Sequence, residues 1–455
     1  MFLLKQGFLY PVPKKSFIMS FRHPYLILSY FLLLCLCCSC QPDNPGERVY
    51  IAKGRTVEIV GSNGNYTLYR HGKPYFIKGA AGYEHFDKIK AYGGNSVRVW
   101  HAEDAGQILD EAHANGLTVT LGLWLGRERE GFNYYDKESV AQQKEAIRKI
   151  VEKYKDHPAL LMWGIGNELY AESSNIKVWN AVNDIAEMIH EIDSNHPTTT
   201  TVMNVPEKVV NLIAKRCPAL DVLSINSFGA MHDLKGALAR SDWKGPYIVS
   251  EFGARGYWEA FFTEWLAPIE QTSSEKAEYS RERYKLTVAA DSGRCLGSYV
   301  FLWGSKHETT PTWFSLINDK GEETQLVKVM NELWTGKETK INQAPYVAYL
   351  TLNEKHAKDN VYLEPGRAAM AKVYAFDPEG KPLRLHWEVL PETEMKDGSA
   401  DKEKTPVPVK GILGKPADHT ITLTPQQEGA YRLYVYLYDG DGNVATANFP
   451  YFVKK

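Results

Sequence analysis

The chain reads as an α/β protein: a (β/α)8 TIM barrel preceded by a short β-hairpin and followed by an all-β immunoglobulin-like sandwich. Three observations predict this. Eight short β-rich runs alternate with helical stretches over about 260 residues, the pattern of a parallel barrel. Polar side chains collect at the C-terminal ends of those runs, the face on which such barrels build their sites. Past residue 345 the texture changes to seven runs of period-two alternation in about 110 residues, split by Pro-, Gly- and Asp-rich turns. The 455 residues, 44% hydrophobic and 24% charged, supply an ordinary globular composition and enough core for both parts.

The barrel strands fall at 76–80, 96–100, 118–124, 160–166, 198–203, 222–226, 248–251 and 297–303. They are rich in β-branched and aromatic residues, as strands buried on both faces are. Between them, 84–92, 105–115, 137–154, 176–193, 207–216, 231–240 and 274–291 repeat apolar residues at helical spacing. Segment 333–340 reads as the last helix and a polar turn. Ahead of the barrel, 50–60 and 66–69 read as strands and His71-Gly72-Lys73-Pro74 as a turn after them, a hairpin that caps the barrel's lower end. Barrel and hairpin thus occupy 49–340. A linker follows, and the sandwich fills 345–455 with strands at 346–352, 361–363, 369–376, 384–389, 419–423, 430–438 and 445–452. Segment 396–404 is a charged loop. Asp439-Gly440-Asp441 resembles a calcium loop but lacks its distal Glu, so a hairpin turn is the reading. Glycan binding, a spacer role and bracing of the barrel are open for the sandwich, with bracing favoured.

The N-terminus stands apart from the fold. An apolar run from Tyr25 to Cys38 is too short to span a bilayer and suits a signal h-region. It leads into Ser39-Cys40-Gln41, which resembles the lipobox of bacterial lipoproteins. Residues 1–39 then read as a lipoprotein signal peptide, Cys40 as the lipidated residue and 40–48 as a tether. The expected location is the bacterial cell envelope, lipid-anchored. Of six cysteines, only Cys217 and Cys295 lie outside the signal, and two buried thiols are expected rather than a bridge.

A formal net charge of -2 argues against nucleic acid as a partner. No spacing of His, Cys, Asp and Glu resembles a metal site, and no glycine loop suits a phosphate, so neither metal nor cofactor is expected. No protein partner is implied. The 11 Trp and 27 Tyr fit large cores, and also stacking on the apolar faces of sugar rings.

Glu168 and Glu251 each close an apolar run, at the ends of the fourth and seventh barrel strands. Two carboxyl groups facing one gap can divide the work of cleaving a glycosidic bond: one stays protonated to feed the leaving oxygen, the other stays ionised to attack. Around them the strand ends place Arg98 and His101, Trp124, Asn167, Asn204, Asn226 and Phe228, and Trp303 with Lys306 and His307.

These stretches resemble the clan A glycoside hydrolases, closest to the catalytic barrel of family 2. The matching segments are His71 to Gly79, Asn95-Ser96-Val97-Arg98, Asp156-His157-Pro158-Ala159-Leu160, Trp163-Gly164-Ile165-Gly166-Asn167-Glu168 and Ser250-Glu251-Phe252-Gly253. The resemblance implies Glu168 as acid/base, Glu251 as nucleophile and Asn167 on the sugar 2-hydroxyl. It implies Arg98 beside Glu251 and Trp303 as the floor of the subsite, with a cis peptide after it. His101, Asn226 and Trp124 complete the expected substrate contacts. Two departures stand out. Family members carry two β-domains before the barrel, for which the segment between Cys40 and the first barrel strand has no room. They also set a Tyr on the sixth strand against the nucleophile, where Asn226-Ser227-Phe228 offers Phe, so Tyr257 or another group would have to substitute. The implied activity is a retaining β-glycosidase acting on an oligo- or polysaccharide. A transglycosylase on the same site and a non-catalytic glycan-binding barrel are the alternatives, with a metal-dependent hydrolase behind them.

Overall fold

The computed structural model describes residues 54–171, 173–337, 342–393 and 403–455. The signal segment, Cys40, the tether and most of the 396–404 loop lie outside them. Among the described residues no helix is long and apolar enough to cross a membrane.

Eight parallel strands close a barrel. They are β4 (Ile77–Ala81), β5 (Ser96–Val99), β6 (Thr118–Leu123), β7 (Leu160–Asn167), β8 (Thr198–Met203), β9 (Val222–Asn226), β10 (Tyr247–Phe252) and β11 (Cys295–Phe301). Around them run α1 (Phe86–Ala91), α2 (Ala105–Ala114), α3 (Lys137–Tyr154), α4 (Lys177–Ile192), α5 (Glu207–Arg216), α6 (Leu234–Arg240), α7 (Ser273–Tyr284) and α8 (Gln325–Thr335). The alternation read from the sequence is thus the one that forms. The exception is the last helix, Gln325–Thr335, which starts well before the 333–340 segment and ends inside it. Gln325 to Trp334 carries the apolar stripe, and Gly336, at φ 69, ends it in a left-handed cap.

Local chemistry sets the helix starts. Asp136 accepts a hydrogen bond from the Glu138 N–H at the head of α3 (3.0 Å), and Thr272 with Glu275 forms a capping box on α7. Helix α4 turns Val178, Val182, Ile185, Ala186 and Ile189 inward, the 3.6-residue stripe that packs it on the barrel. Inside the barrel, Tyr299 is wholly buried. Its hydroxyl meets Ser96 Oγ (2.9 Å) and Thr120 Oγ1 (2.7 Å), so this buried phenol is satisfied where it fills the barrel.

The expected hairpin is a three-stranded antiparallel sheet: β1 (Val57–Ser62), β2 (Asn65–Arg70) and the short β3 (Lys73–Pro74). Val57, Ile59, Tyr66 and Leu68 pack with Ile77, Val222, Ile248 and Leu296 from the strand starts. Tyr66 also donates to Gly293 O and Lys244 O. The sheet therefore seals the N-terminal end and leaves the opposite face for chemistry. Cys217 and Cys295 are buried and not disulfide-linked.

The sandwich stacks β12 (Tyr346–Leu352), β14 (Ala369–Phe376) and β16 (Thr420–Leu423) on β13 (Tyr362–Leu363), β18 (Val444–Val453), β17 (Gly429–Tyr438) and β15 (Arg384–Pro391). It lies in the same compact unit as the barrel, Gly46–Lys455. The joint is polar and buried. Ser273 and Ser274 at the head of α7 accept from Thr446 N and Val347 N, both at 2.9 Å. Glu270 pairs with Lys276 (2.5 Å) and takes hydrogen bonds from Thr310, Thr312 and Asn448. Arg432 pairs with Glu392 and donates to Pro268 O (2.8 Å).

Breaking a buried pair by removing one partner leaves an uncompensated charge, at a cost of about 3–5 kcal/mol. Arg432→Ala strands Glu392, so calorimetry should show barrel and sandwich unfolding in one transition at a lower temperature. Two separate transitions, with the barrel's unchanged, would mean the joint contributes nothing to the barrel.

Candidate active site

The C-terminal ends of β5, β7, β9 and β10 converge on one polar cluster. On β5, period two sends Arg98 and Trp100 to the same side. Gly122 on β6 allows this close approach, since a Cβ there would stand 2.3 Å from the Trp100 carbonyl oxygen. At the end of β7, Gly166 has φ 69 and Glu168 φ 53. This left-handed turn is costly for a non-glycine residue and swings Glu168 off the strand.

Arg98 is the hub. One guanidinium nitrogen meets Glu251 Oε1 at 2.6 Å and Ser250 O at 3.3 Å, and the other meets Asn167 Oδ1 at 2.8 Å. Trp100 Nε1 donates to the same Glu251 Oε1 at 2.8 Å. Both donors hold one oxygen, and Oε2 accepts no hydrogen bond from the described residues. Asn226 Nδ2 donates to Glu168 Oε1 at 2.8 Å and to Asn167 Oδ1 at 3.3 Å. Its own Oδ1 accepts from Ser250 Oγ at 2.8 Å. The two glutamates are thus ends of one chain, Glu168–Asn226–Asn167–Arg98–Glu251. With Asn167 Oδ1 committed to Arg98 and Asn226, its Nδ2 donates to none of the described residues and is left for a ligand.

The two carboxyls differ electrostatically. Burial pushes Glu168 up to about 7, the negative charge of Glu251 adds to the rise, and the Asn226 hydrogen bond and the charges of Arg127 and Arg98 oppose it. Glu251 is instead in a salt bridge with Arg98, both side chains nearly buried.

On the rim, the His101 ring stacks on Trp124 at 4.4 Å, and the Arg127 guanidinium lies 4.2 Å from the Trp124 centroid. These three form one wall, with Arg127 also paired to Glu130. Trp303 requires a correction. It is only 1% exposed, packs on Trp334 of α8 (5.8 Å) and donates to His85 O. It is core and cannot floor a subsite. The reason is that β11 ends two residues early, at Phe301, and the chain turns outward. The cis peptide lies at Phe301–Leu302, not after Trp303. Phe301 takes the inward place, edge-on to Trp100 at 5.8 Å. Phe228 packs against Phe301 and Phe314 and offers no hydroxyl, so the donor expected from a sixth-strand tyrosine comes from Trp100. Tyr257 packs against Trp258 and Trp313. His307 is buried beside Glu403 of the sandwich, 3.8 Å away.

Two residues escaped the sequence reading. Trp100 was legible in Arg98-Val99-Trp100, where alternation places both on one face. Glu308, on the loop after β11, had no signal at all. Among the described residues no group of His, Cys, Asp and Glu could hold a metal ion.

Residues 83–261 match a family model described as glycosyl hydrolases family 2, TIM barrel domain. A curated β-glucuronidase of Paenibacillus borealis is 24% identical over 191 residues, 37% of this chain and 31% of its own length. The chain therefore spans about a third of that relative. Among solved structures, the β-D-glucuronidase of Dictyoglomus thermophilum aligns with a TM-score of 0.49 at 18% identity, covering 62% of this chain and 54% of the other. That of Bifidobacterium dentium, complexed with coumarin-3-O-glucuronide, gives 0.48 at 18% identity, with 62% and 49% covered. The matched segment, less than half of the chain, is thus similar to the barrel domain of family 2 glycoside hydrolases, the family its motifs resemble.

A carboxyl raised in the fold makes the native state lose stability as pH climbs from the unfolded value near 4.5 toward 7. Glu168→Gln removes that penalty and keeps an acceptor for Asn226. The variant should melt higher than the parent at pH 8, by up to about 3 kcal/mol, and level with it at pH 4. An equal gain at both values would trace the effect to packing instead of charge.

Proposed function

We propose that the protein is a retaining β-glycosidase that hydrolyses an oligo- or polysaccharide by double displacement. The observation that carries this is the pair of glutamates on one hydrogen-bonded chain with opposite electrostatic surroundings. Glu251 Oε2, which has no donor among the described residues, attacks the anomeric carbon while Arg98 and Trp100 hold Oε1. Glu168, protonated below about 7, gives its proton to the leaving oxygen. The glycosyl ester that forms has no charge on Glu251. The repulsion that helped raise Glu168 is gone, so its carboxyl turns acidic when it must act as base toward water. Asn167 Nδ2 meets the sugar 2-hydroxyl, a contact that tightens in the transition state. Water as acceptor is the simplest reading of a cleft rimmed by polar side chains. The lipobox-like Ser39-Cys40 supports a lipid-anchored protein of the bacterial envelope.

Purified protein lacking residues 1–40 should release sugar from a β-glycan, with the first-formed product in the β-anomer by NMR. Glu251→Ala should abolish turnover. Glu168→Gln should cost about 10²–10⁴-fold on glycosides with poor leaving groups and far less on activated aryl glycosides. Turnover should fall above pH 7 as Glu168 loses its proton. An α-anomer as first product would exclude the double displacement.

Trp100→Phe removes one donor and keeps the ring. It should lower kcat about tenfold, in keeping with one hydrogen bond to a charged group of about 1.5–3 kcal/mol, with KM little changed. An unchanged kcat would make Trp100 a packing residue only.

A further inference from the structure

A third carboxyl stands on the C-terminal face of the barrel. Glu308 lies on the loop after β11, at the same end of the barrel as Glu168 and Glu251. It is paired with Lys306 at 2.9 Å, and the two side chains are 13% and 16% exposed. The loop is held on several sides. Glu308 and Thr310 exchange backbone hydrogen bonds (3.1 and 2.7 Å), and Lys306 N donates to Ser315 Oγ (3.1 Å). The sandwich clamps it further: Thr393 Oγ1 donates to Thr309 O (2.9 Å). The Glu403 carboxylate accepts from Thr309 N (2.9 Å), and Glu403 N donates to His307 O (3.2 Å). Burial raises Glu308 above its ordinary range, Lys306 opposes this, and the charges of Glu251 and Glu403 add to the rise. The nucleophile and Glu308 therefore share one electrostatic space.

Three cations on this face of the barrel each have an anion among the described residues. Arg98 has Glu251 at 2.6 Å, Lys306 has Glu308 at 2.9 Å, and Arg127 has Glu130 at 3.3 Å. A sugar carrying its own carboxylate would have to displace one of these from its partner, or enter unpaired beside Glu251 and Glu308. Burying an unpaired carboxylate costs several kcal/mol, and a like charge nearby adds to that. A neutral sugar meets no such cost. Its hydroxyls can donate to Glu308 and accept from Lys306.

We propose that Glu308, positioned by Lys306, is a specificity-determining residue that admits neutral hexosides to the cleaved position and excludes uronic acids. The proposal rests on the glycosidase reading and sets the chain apart from the β-glucuronidases it resembles.

The test compares neutral β-linked hexo-oligosaccharides with the same oligosaccharides oxidised at C6 to uronates. Hydrolysis is followed by reducing ends and binding by calorimetry on the wild-type chain. The neutral form should be favoured at least about 100-fold in kcat/KM or in Kd. Glu308→Gln, which keeps shape and removes charge, should narrow that ratio at least about tenfold by improving the uronate. Equal or better use of the uronate by the wild type overturns the specificity proposal and leaves the glycosidase reading standing. A ratio unmoved in Glu308→Gln likewise overturns the residue's role. A protein that neither binds nor cleaves either series overturns both.

Discussion

The guanidinium of Arg98 sits inside the mouth of the barrel, with the residue only 5% exposed. A charge so enclosed persists only if it is paired and its donors are used. Here the partners are Glu251 and the Ser250 carbonyl on β10, Asn167 on β7, and the Trp100 ring, 5.1 Å away, just past the end of β5. Satisfying one cation thus fixes the positions of the groups a glycosidase needs. Asn167 in turn shares Asn226 with Glu168, so the second carboxyl is placed by the same chain of bonds.

That arrangement also sets the chemistry apart on the two sides. Glu251 meets a cation and an indole N–H. Glu168 meets one neutral amide, a low-polarity surround and a negative neighbour, and its turn has φ 53. Left-handed backbone and a destabilised carboxyl at one position support a functional role for it. The rest of the molecule is arranged to hold this geometry. The N-terminal sheet seals the far end of the barrel, and the sandwich grips the head of α7 and the loop that carries Lys306 and Glu308. Rigid support on several sides is what precise placement of reacting groups demands.

Much of this was legible in the sequence because a parallel barrel buries both faces of its strands. Runs such as Leu160 to Gly166 and Val222 to Asn226 stand out against amphipathic helices, and their ends mark the face on which the polar cluster gathers. Arg98, Asn167, Glu168, Asn226 and Glu251 come together there, with His101 and Trp124 on the rim. What stayed hidden depended on small offsets and on distant contacts. Trp303 reads as a strand end, yet β11 stops at Phe301, and a shift of two residues turns a subsite floor into core. Glu308 lies in an irregular loop whose shape is fixed by Thr393 and Glu403, far along the chain, and no local pattern announces such a contact. The last helix lies earlier than 333–340 because its cap, Gly336, falls inside that segment.

The division of labour between the two glutamates is best tested by trapping. A 2-deoxy-2-fluoro glycoside with an activated leaving group should form a stable adduct with the protein, visible as a mass increase of one fluoroglycosyl unit. Peptide mapping should then place the label on Glu251. A label on Glu168, or on neither glutamate while the reagent inactivates the protein, would contradict the account.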